Sequence, residues 1–250
     1  MGSQFAVWGW RIPFLLSAIL IVIGLYIRFR IFETPLFTRF LEEHRPSRLP
    51  LSDALRHNWK EILLSAGAKF TEQAPLYIFQ TFVITYGVIN LHLDKQLLLM
   101  GIYIGALLEV FTIPLFSRLS DRIGRRTCYL IGCVTMLLYI FPYFLLLNTR
   151  NPVLVVGSIV ASFGIFHGLV YGPQAALISE QFKTKFRYSG ASLGYQLSAP
   201  FAGGLGPIIA LALLQSYHSY VPVALFLIAI AIFSFLCVLG LKEMARTSIA

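Results

Sequence analysis

The fold class of this chain is decided by two apolar stretches joined by a short basic turn, QLLLMGIYIGALLEVFTIPLF at residues 96–116 and CYLIGCVTMLLYIFPYFLLL at residues 128–147. As helices rising about 1.5 Å per residue, both stretches are long enough to cross the ~30 Å hydrocarbon core of a bilayer. A membrane β-barrel would instead show segments of about ten residues with alternating polarity. The two stretches therefore predict transmembrane helices.

Apolar stretches of this length recur along the whole chain. They run roughly over residues 13–32, 61–89, 96–116, 128–147, 153–181, 189–215 and 220–241. Hydrophobic residues make up 57% of the chain and charged residues 12%, whereas a soluble domain has about 25% charged residues. The sequence therefore predicts an all-α polytopic membrane helix bundle with about seven transmembrane helices and the lipid bilayer as its surroundings.

The net charge of +9 is placed in a way that argues against nucleic acid as a partner. Sixteen of the 20 Lys and Arg residues fall in the loops 28–60, 117–126 and 183–187 and in the C-terminal tail. Basic loops of membrane proteins stay in the cytoplasm. We therefore predict that these loops and the C-terminus are cytoplasmic.

This orientation bears on the domain organisation. Seven helices with a cytoplasmic C-terminus require an external N-terminus, yet residues 1–12 lack the charged start and cleavage site of a signal peptide. We expect residues 1–32 to be the last helix of an otherwise missing N-terminal six-helix half. Residues 33–60 would be a cytoplasmic central loop, and 61–250 a C-terminal six-helix half with a short tail. An intact seven-helix protein is the alternative.

Enzymatic chemistry finds little support in the sequence. Cys128, Cys133 and Cys237 lie in apolar stretches without metal-ligand spacing. A Gly-rich phosphate loop, a His-Glu zinc motif and a nucleophile elbow are all missing from the sequence. We therefore predict no catalytic residues, no metal and no cofactor, and we expect a protein that is not an enzyme.

The basic turn itself reads SRLSDRIGRR over residues 117–126. Asp121 can accept hydrogen bonds from a neighbouring helix N-terminus or pair with an arginine, and Gly124 permits a sharp turn. Arg122, Arg125 and Arg126 would hold the cytoplasmic face. We predict that this turn acts as a cytoplasmic gate. The alternative is a generic basic turn that only fixes orientation.

The turn closely resembles the cytoplasmic loop signature of the major facilitator superfamily, Gly-x-Leu-x-Asp-Arg-x-Gly-Arg-Arg, with Ser117 in place of the first Gly. The segments WGWRIPF (8–14) and RYSGASLGYQ (187–196) resemble the metabolite:proton symporter family, and within it the shikimate-type branch. The resemblance implies the sixth to twelfth helices of a twelve-helix carrier in a bacterial inner membrane. It also implies a small metabolite substrate moved together with protons.

Polar residues inside membrane helices are costly and are therefore functional candidates. Lys69, Glu72 and Gln73 share one helix face about midway across the bilayer, because they are spaced i, i+3 and i+4. Lys69 would attract a carboxylate substrate, and Glu72 would take up a proton. The alternative is a self-compensated Lys–Glu pair that only joins helices.

A second polar face is predicted in the stretch 153–181. His167, Tyr171 and Gln174 fall on one side at i, i+4 and i+7, where they would bind substrate or protons. The alternative for His167 is a packing residue with a satisfied hydrogen bond. Glu109 and Glu180 are predicted near cytoplasmic helix ends, paired with loop arginines.

The stretch 189–215 is rich in small residues, which favour close helix contact. Tyr195 and Gln196 are predicted to line the substrate pathway. The helix is predicted to bend or break around Gly203, Gly204, Gly206 and Pro207.

Together these features predict a secondary active transporter, or a fragment of one. It would move a small organic acid or zwitterionic metabolite with protons by alternating access. Two alternatives stay open: a non-transporting membrane module that acts as a scaffold or receptor, and a carrier of a different substrate such as a sugar or drug. A membrane enzyme is a weaker third reading.

Overall fold

The structure, a computed structural model, describes residues 7–30 and 50–244. Residues 33–49 of the predicted central loop, and Arg246 in the tail, lie outside the described residues. Within the described ranges the chain is helical and contains no β-strand.

Nine helices are described, and several of them continue through short π-helical segments. They are α1 (Ile12–Arg30), α2 (Pro50–Ala68), α3 (Phe70–Tyr77), α4 (Val83–Thr85), α5 (Lys95–Ile123), α6 (Arg125–Asn148), α7 (Pro152–Glu180), α8 (Arg187–Tyr217) and α9 (Val221–Gly240). The π-helical segments are Ile78–Phe82 and Tyr86–Asn90 on either side of α4, Ser162–His167 inside α7 and Ala199–Leu205 inside α8.

Among the described residues, six helices are long and apolar enough to cross a membrane, namely α1 and α5 to α9. The helical run 50–90, which comprises α2, α3 and α4, corresponds to the remaining predicted span. The prediction of an all-α polytopic bundle of about seven helices is therefore confirmed.

The chain divides into two compact units. Residues Met1–Arg48 form one unit, which includes α1, and Leu49–Ala250 form the other, which includes α2 to α9. In the second unit the run 50–90 packs against α8 and α9, α5 packs against α7, and α6 packs against α7 and α9. The polar side chains predicted for the site all belong to this second unit.

Helix α2 begins earlier than the predicted loop boundary at residue 60. Pro50 occupies the first helical position, where its missing N–H costs nothing, and Asp53 lies in the first turn, where the helix dipole favours an acid. Asn58 has non-helical angles (φ −133°, ψ 28°), so that the helix kinks there. The part of α2 before this kink thus lies within residues 33–60, which were predicted to be the central loop.

Helices α5 and α7 approach each other along two rows of glycines spaced four residues apart. A Cβ atom on Gly172 would lie 2.9 Å from the carbonyl oxygen of Ile113. One on Gly164 would lie 2.4 Å from the Leu108 side chain. The glycines in these rows are Gly101, Gly105, Gly164, Gly168 and Gly172. Small residues at this spacing let two membrane helices come into backbone contact.

Where α8 was predicted to bend or break, its helical backbone is continuous. The chain continues as the π-helical segment Ala199–Leu205 and then as an α-helix from Gly206, with Pro207 in its first turn. The wider i→i+5 turns absorb the irregularity that the prolines and glycines introduce. A Cβ on Gly203 would lie 3.0 Å from both Gln73 and Tyr77, so that this segment presses closely on α3.

Candidate functional site

In the middle of the run 50–90 the ladder of backbone hydrogen bonds is interrupted beside Lys69, although the angles of Lys69 stay helical (φ −70°, ψ −15°). The Thr71 N–H donates to the Ser234 hydroxyl (3.1 Å) instead of to a carbonyl of its own helix. The Tyr129 hydroxyl donates to the Ala68 carbonyl (2.8 Å). Backbone groups inside a membrane bundle must find partners. Side chains of α6 and α9 supply these hydrogen-bond partners, so the interruption is stable in the interior of the bundle.

The predicted face of Lys69, Glu72 and Gln73 lies at this interruption. Lys69 Nζ is 3.1 Å from Glu72 Oε2 and donates to Gln73 Oε1 at 3.4 Å. Lys69 Nζ lies over the Tyr195 ring, 4.9 Å from the centroid of the ring. The Ser198 hydroxyl donates to Gln73 Oε1 (3.1 Å). Helix α8 therefore completes the surroundings of a lysine that is only 9% exposed.

The second predicted face meets the first one. His167 Nε2 lies 3.5 Å from Glu72 Oε1, a contact between α7 and α3. The Tyr171 ring stacks on the imidazole with centroids 5.4 Å apart. Gln174 Nε2 is 3.5 Å from Glu72 Oε2 and 3.2 Å from the Tyr129 hydroxyl. The structure thus brings the two faces together around Glu72, although Tyr171 itself is 45% exposed.

The prediction that Glu109 lies near a cytoplasmic helix end is wrong. Glu109 does not pair with a loop arginine but lies midway along α5, where its Oε1 atom contacts His167 Nδ1. The glycine rows of α5 and α7 bring the two side chains together, so the spacing of Gly101 with Gly105 and of Gly164 with Gly168 was the available signal. Glu180 does pair with a loop arginine, as predicted: its Oε1 atom lies 3.0 Å from Arg125 Nε.

Four ionisable groups therefore form one chain of contacts, which we call the central network: Lys69, Glu72, His167 and Glu109. Lys69, Glu72 and His167 are each less than a tenth exposed. Buried charges of this kind are stable only when they are paired. Of the other predicted pathway residues, Tyr195 and Gln174 touch this network, whereas Gln196 is exposed.

A second charged network lies at the turn between α5 and α6. Gly124 has a positive φ of 104°, which lets α6 begin directly after α5 ends. Arg125 pairs with Asp121 (3.3 Å) one turn earlier and with Glu180 (3.0 Å) of α7. We call these residues, with Arg126 and Glu243, the loop-end network.

Asp121 takes the second of its two predicted roles, pairing with an arginine, and Glu243 takes the first, at a helix N-terminus. The Glu243 carboxylate accepts hydrogen bonds from the backbone N–H groups of Arg125 (3.1 Å) and Arg126 (2.9 Å) at the start of α6. The Arg126 guanidinium in turn donates to two carbonyls in the last turn of α9, at 3.1 and 2.6 Å. A Cβ on Gly124 would lie 2.6 Å from the Glu243 carboxylate, so only glycine leaves room for it. Sequence reasoning missed Glu243 because no local pattern marks it.

Comparison with known proteins gives consistent matches. The Major Facilitator Superfamily pattern matches residues 1–198. The chain is 33% identical to the shikimate transporter of Escherichia coli, over 98% of this chain and 56% of that protein. It is 30% identical to the inner membrane metabolite transport protein YhjE of Escherichia coli, over 99% of this chain and 57% of that protein.

A third relative has a different kind of substrate in its name. The chain is 30% identical to the glycine betaine/proline/ectoine/pipecolic acid transporter OusA of Dickeya dadantii, over 98% of this chain and 51% of that protein. The chain thus spans about half the length of the curated relatives it matches. No solved structure matches it at a significant level.

Proposed function

Since the chain belongs to the major facilitator superfamily of membrane transporters, we propose that it forms part of a secondary active carrier. This carrier moves a small organic acid or zwitterionic metabolite together with protons by alternating access. Residues 1–32 are the last helix of an N-terminal half, 33–60 connect the halves, and 61–250 are the C-terminal half. The carrier lies in a bacterial inner membrane.

The buried Lys69–Glu72 pair carries this proposal. A pair that only joined helices would be a costly way to do so, because an apolar contact of the same volume is often at least as stable. This pair also lies at an interruption of its helix, with side chains of α6 and α9 holding the freed backbone groups. Interrupted helices near the middle of the membrane are typical of substrate sites in transporters.

The side chains around Lys69 suit a carboxylate substrate. Lys69 supplies the positive charge with the Tyr195 ring beneath it, Gln73 supplies an amide beside Lys69, and Gln174 supplies one beside Glu72. In our proposal the substrate carboxylate replaces Glu72 as the partner of Lys69. Glu72, released from its cation, then takes up a proton, so that substrate and proton enter the site together.

The loop-end network serves as the latch of the cytoplasmic side in this scheme. Asp121, Arg125 and Glu180 link the ends of α5, α6 and α7, and Glu243 ties in the segment after α9. These contacts would hold the closed cytoplasmic face in place. A reporter fused after Ala250 should be active in the cytoplasm and one inserted at Asn151 outside it; the same side for both would overturn this orientation.

Uptake of labelled substrate into vesicles that contain the carrier tests the proposal. The complete carrier that contains this chain is reconstituted and offered labelled shikimate or labelled glycine betaine, an anion and a zwitterion. We expect a pH gradient to drive accumulation of one of them, and Lys69→Ala to abolish it. Lys95→Ala, which removes an exposed lysine at the start of α5, is the matched control. Uptake no greater than in empty vesicles for a broad panel of metabolites would favour a non-transporting membrane module.

A further inference from the structure

Glu109 has no role in the transport scheme above, yet it belongs to the central network. Its side chain is 16% exposed, against 7% for His167 and 5% for Glu72. Exposure therefore increases along the chain of contacts from Glu72 through His167 to Glu109. Glu109 is therefore the carboxylate of this network that the other described residues cover least.

The two nitrogens of His167 face two different carboxylates. Nδ1 contacts Glu109 on α5, and Nε2 lies 3.5 Å from Glu72 on α3. A carboxylate oxygen that is ionised only accepts hydrogen bonds, and a neutral imidazole has one donor and one acceptor nitrogen. A neutral ring can therefore donate to only one carboxylate at a time. The other carboxyl group must then carry a proton and donate to the ring.

The other titratable groups near this ring are neutral tyrosines. Among the described residues, Tyr171 of α7 stacks on the imidazole, and Tyr129 of α6 reaches the site through Gln174. Tyr195 of α8 lies beside Lys69, which reaches His167 only through Glu72. Glu72 and Glu109 are thus the acidic groups that contact the ring.

We propose that Glu109 is the entrance of a proton wire through which protons reach Glu72 by way of the two nitrogens of His167. The proton leaves the Glu109 carboxyl group and bonds to Nδ1, while the proton on Nε2 passes to the Glu72 carboxylate once that carboxylate, which makes no hydrogen bond to Nε2 in this structure, has moved within hydrogen-bond distance. One O–H and one N–H bond break, and one N–H and one O–H bond form. The imidazole stays neutral, Glu109 becomes ionised and Glu72 becomes protonated.

The direction of transfer is set by the substrate, so the wire rests on the proposed function. While Glu72 is paired with Lys69 at 3.1 Å, its negative charge is stabilised and it takes no proton from the ring. When a substrate carboxylate takes Lys69, Glu72 loses its cation and becomes the better proton acceptor. Proton transfer to Glu72 thus follows substrate binding, and Glu109 is then free to be reprotonated from water.

Proton uptake per transported substrate tests the wire. The complete carrier is reconstituted in vesicles with a trapped pH-sensitive dye and given labelled shikimate, or labelled glycine betaine where that probe is accumulated. We expect Glu109→Gln to lose substrate-driven proton uptake and accumulation while keeping counterflow exchange with an unchanged KM. Asp94→Asn, which removes the charge of an exposed carboxylate at the N-cap of α5 and keeps a capping side chain, is the matched control and should keep proton uptake.

If the Gln variant does not insert into the membrane, proton uptake by Glu109→Asp provides a second test. Its carboxylate is one methylene shorter, so proton uptake should slow while the number of protons per substrate stays the same. Wild-type proton uptake in Glu109→Gln, or a wild-type rate in Glu109→Asp, would overturn the wire. Loss of counterflow together with proton uptake would also overturn it, since Glu109 would then only hold the helices. Absence of substrate-driven proton uptake in the wild-type carrier would overturn the symport proposal itself.

Discussion

The central network and the loop-end network both join charged side chains from several helices, but the groups in contact differ. In the central network, charges contact charges: Lys69 lies 3.1 Å from Glu72, which in turn meets His167. In the loop-end network, the shortest contacts join charges to the backbone ends of helices, as in Glu243 at the start of α6. The first arrangement changes when a charge or a proton is added, whereas the second mainly fixes positions.

Solvent access separates the two networks further. The Asp121 side chain is 55% exposed, whereas that of Glu72 is 5% exposed. Exposed pairs contribute little to stability because water and salt screen them. Buried charges depend on their partners, because the bilayer interior offers no water to replace a lost one. Substitutions in the centre should therefore have much larger effects than substitutions at the loop end.

The largest effect is expected for Lys69→Ala. This substitution leaves the buried Glu72 carboxylate without its cation, and breaking a buried pair costs about 3–5 kcal/mol of unfolding free energy. Thermal unfolding of the purified chain in detergent measures the loss, with Lys95→Ala as the exposed control. Equal stability of the two variants would mean that Lys69 is not a necessary partner of Glu72.

Gly172→Ala should come next, because it acts on the packing that assembles the central network. The new Cβ would lie 2.9 Å from the Ile113 carbonyl oxygen, a backbone atom that cannot rotate away. Overpacking of this kind costs about 1–3 kcal/mol. It should also move Glu109 away from His167 and so weaken proton coupling.

Gly157→Ala is the matched control for this substitution. Gly157 is also in α7, but a Cβ there would have no atom within 4 Å. Alanine is the better helix former by about 1 kcal/mol, so we expect this variant to be at least as stable as the wild type. If Gly172→Ala proves equally harmless, close contact between α5 and α7 is not what positions Glu109.

Glu243→Ala should have a smaller effect, of about 1 kcal/mol, which is typical for the loss of a side chain that caps a helix N-terminus. The variant leaves backbone N–H groups at the start of α6 without their acceptor. Unfolding of this variant is compared with that of Lys242→Ala, which removes an exposed neighbouring side chain and leaves the backbone contacts of that residue with Gln181. A greater loss from Lys242→Ala would contradict the capping role.

The smallest change in stability is expected for Asp121→Asn. Its ion pair with Arg125 is half exposed, so its loss should cost less than about 1 kcal/mol and vanish at high salt. Under the proposed function, transport should nevertheless slow, because the pair helps to hold the closed cytoplasmic face. Wild-type uptake kinetics in a well-expressed variant would show that Asp121 only helps to orient the loop.

The parts of this molecule that the sequence predicted correctly depend on local spacing. Helix length follows from the apolar stretches, and the shared face of Lys69, Glu72 and Gln73 follows from their i, i+3 and i+4 positions. Glu109 and Glu243 could not be placed in this way, because their partners are set by how distant helices pack. The rows of glycines carried a usable signal for Glu109, but nothing in the sequence around residue 243 indicated a helix cap.

The π-helical segments were missed for a related reason. Proline and glycine at residues 200–207 predicted a bend or a break in α8. The backbone continues there with wider turns and brings Gly203 against Gln73. Proline and glycine can either break a helix or widen its turns, and the packing of neighbouring helices determines which of the two occurs. Contact between α8 and α3 therefore had to come from the structure.

The Lys69→Ala/Glu72→Gln double variant tests the central claim most directly, because it removes both charges and leaves no unpaired one from this pair. Counterflow and pH-gradient-driven uptake of the labelled substrate are measured in vesicles with the complete carrier. We predict that the double variant inserts and unfolds more like the wild type than Lys69→Ala does, and that it neither exchanges nor accumulates substrate. Normal accumulation by the double variant would contradict the account, since the pair would then only join helices and substrate coupling would lie elsewhere.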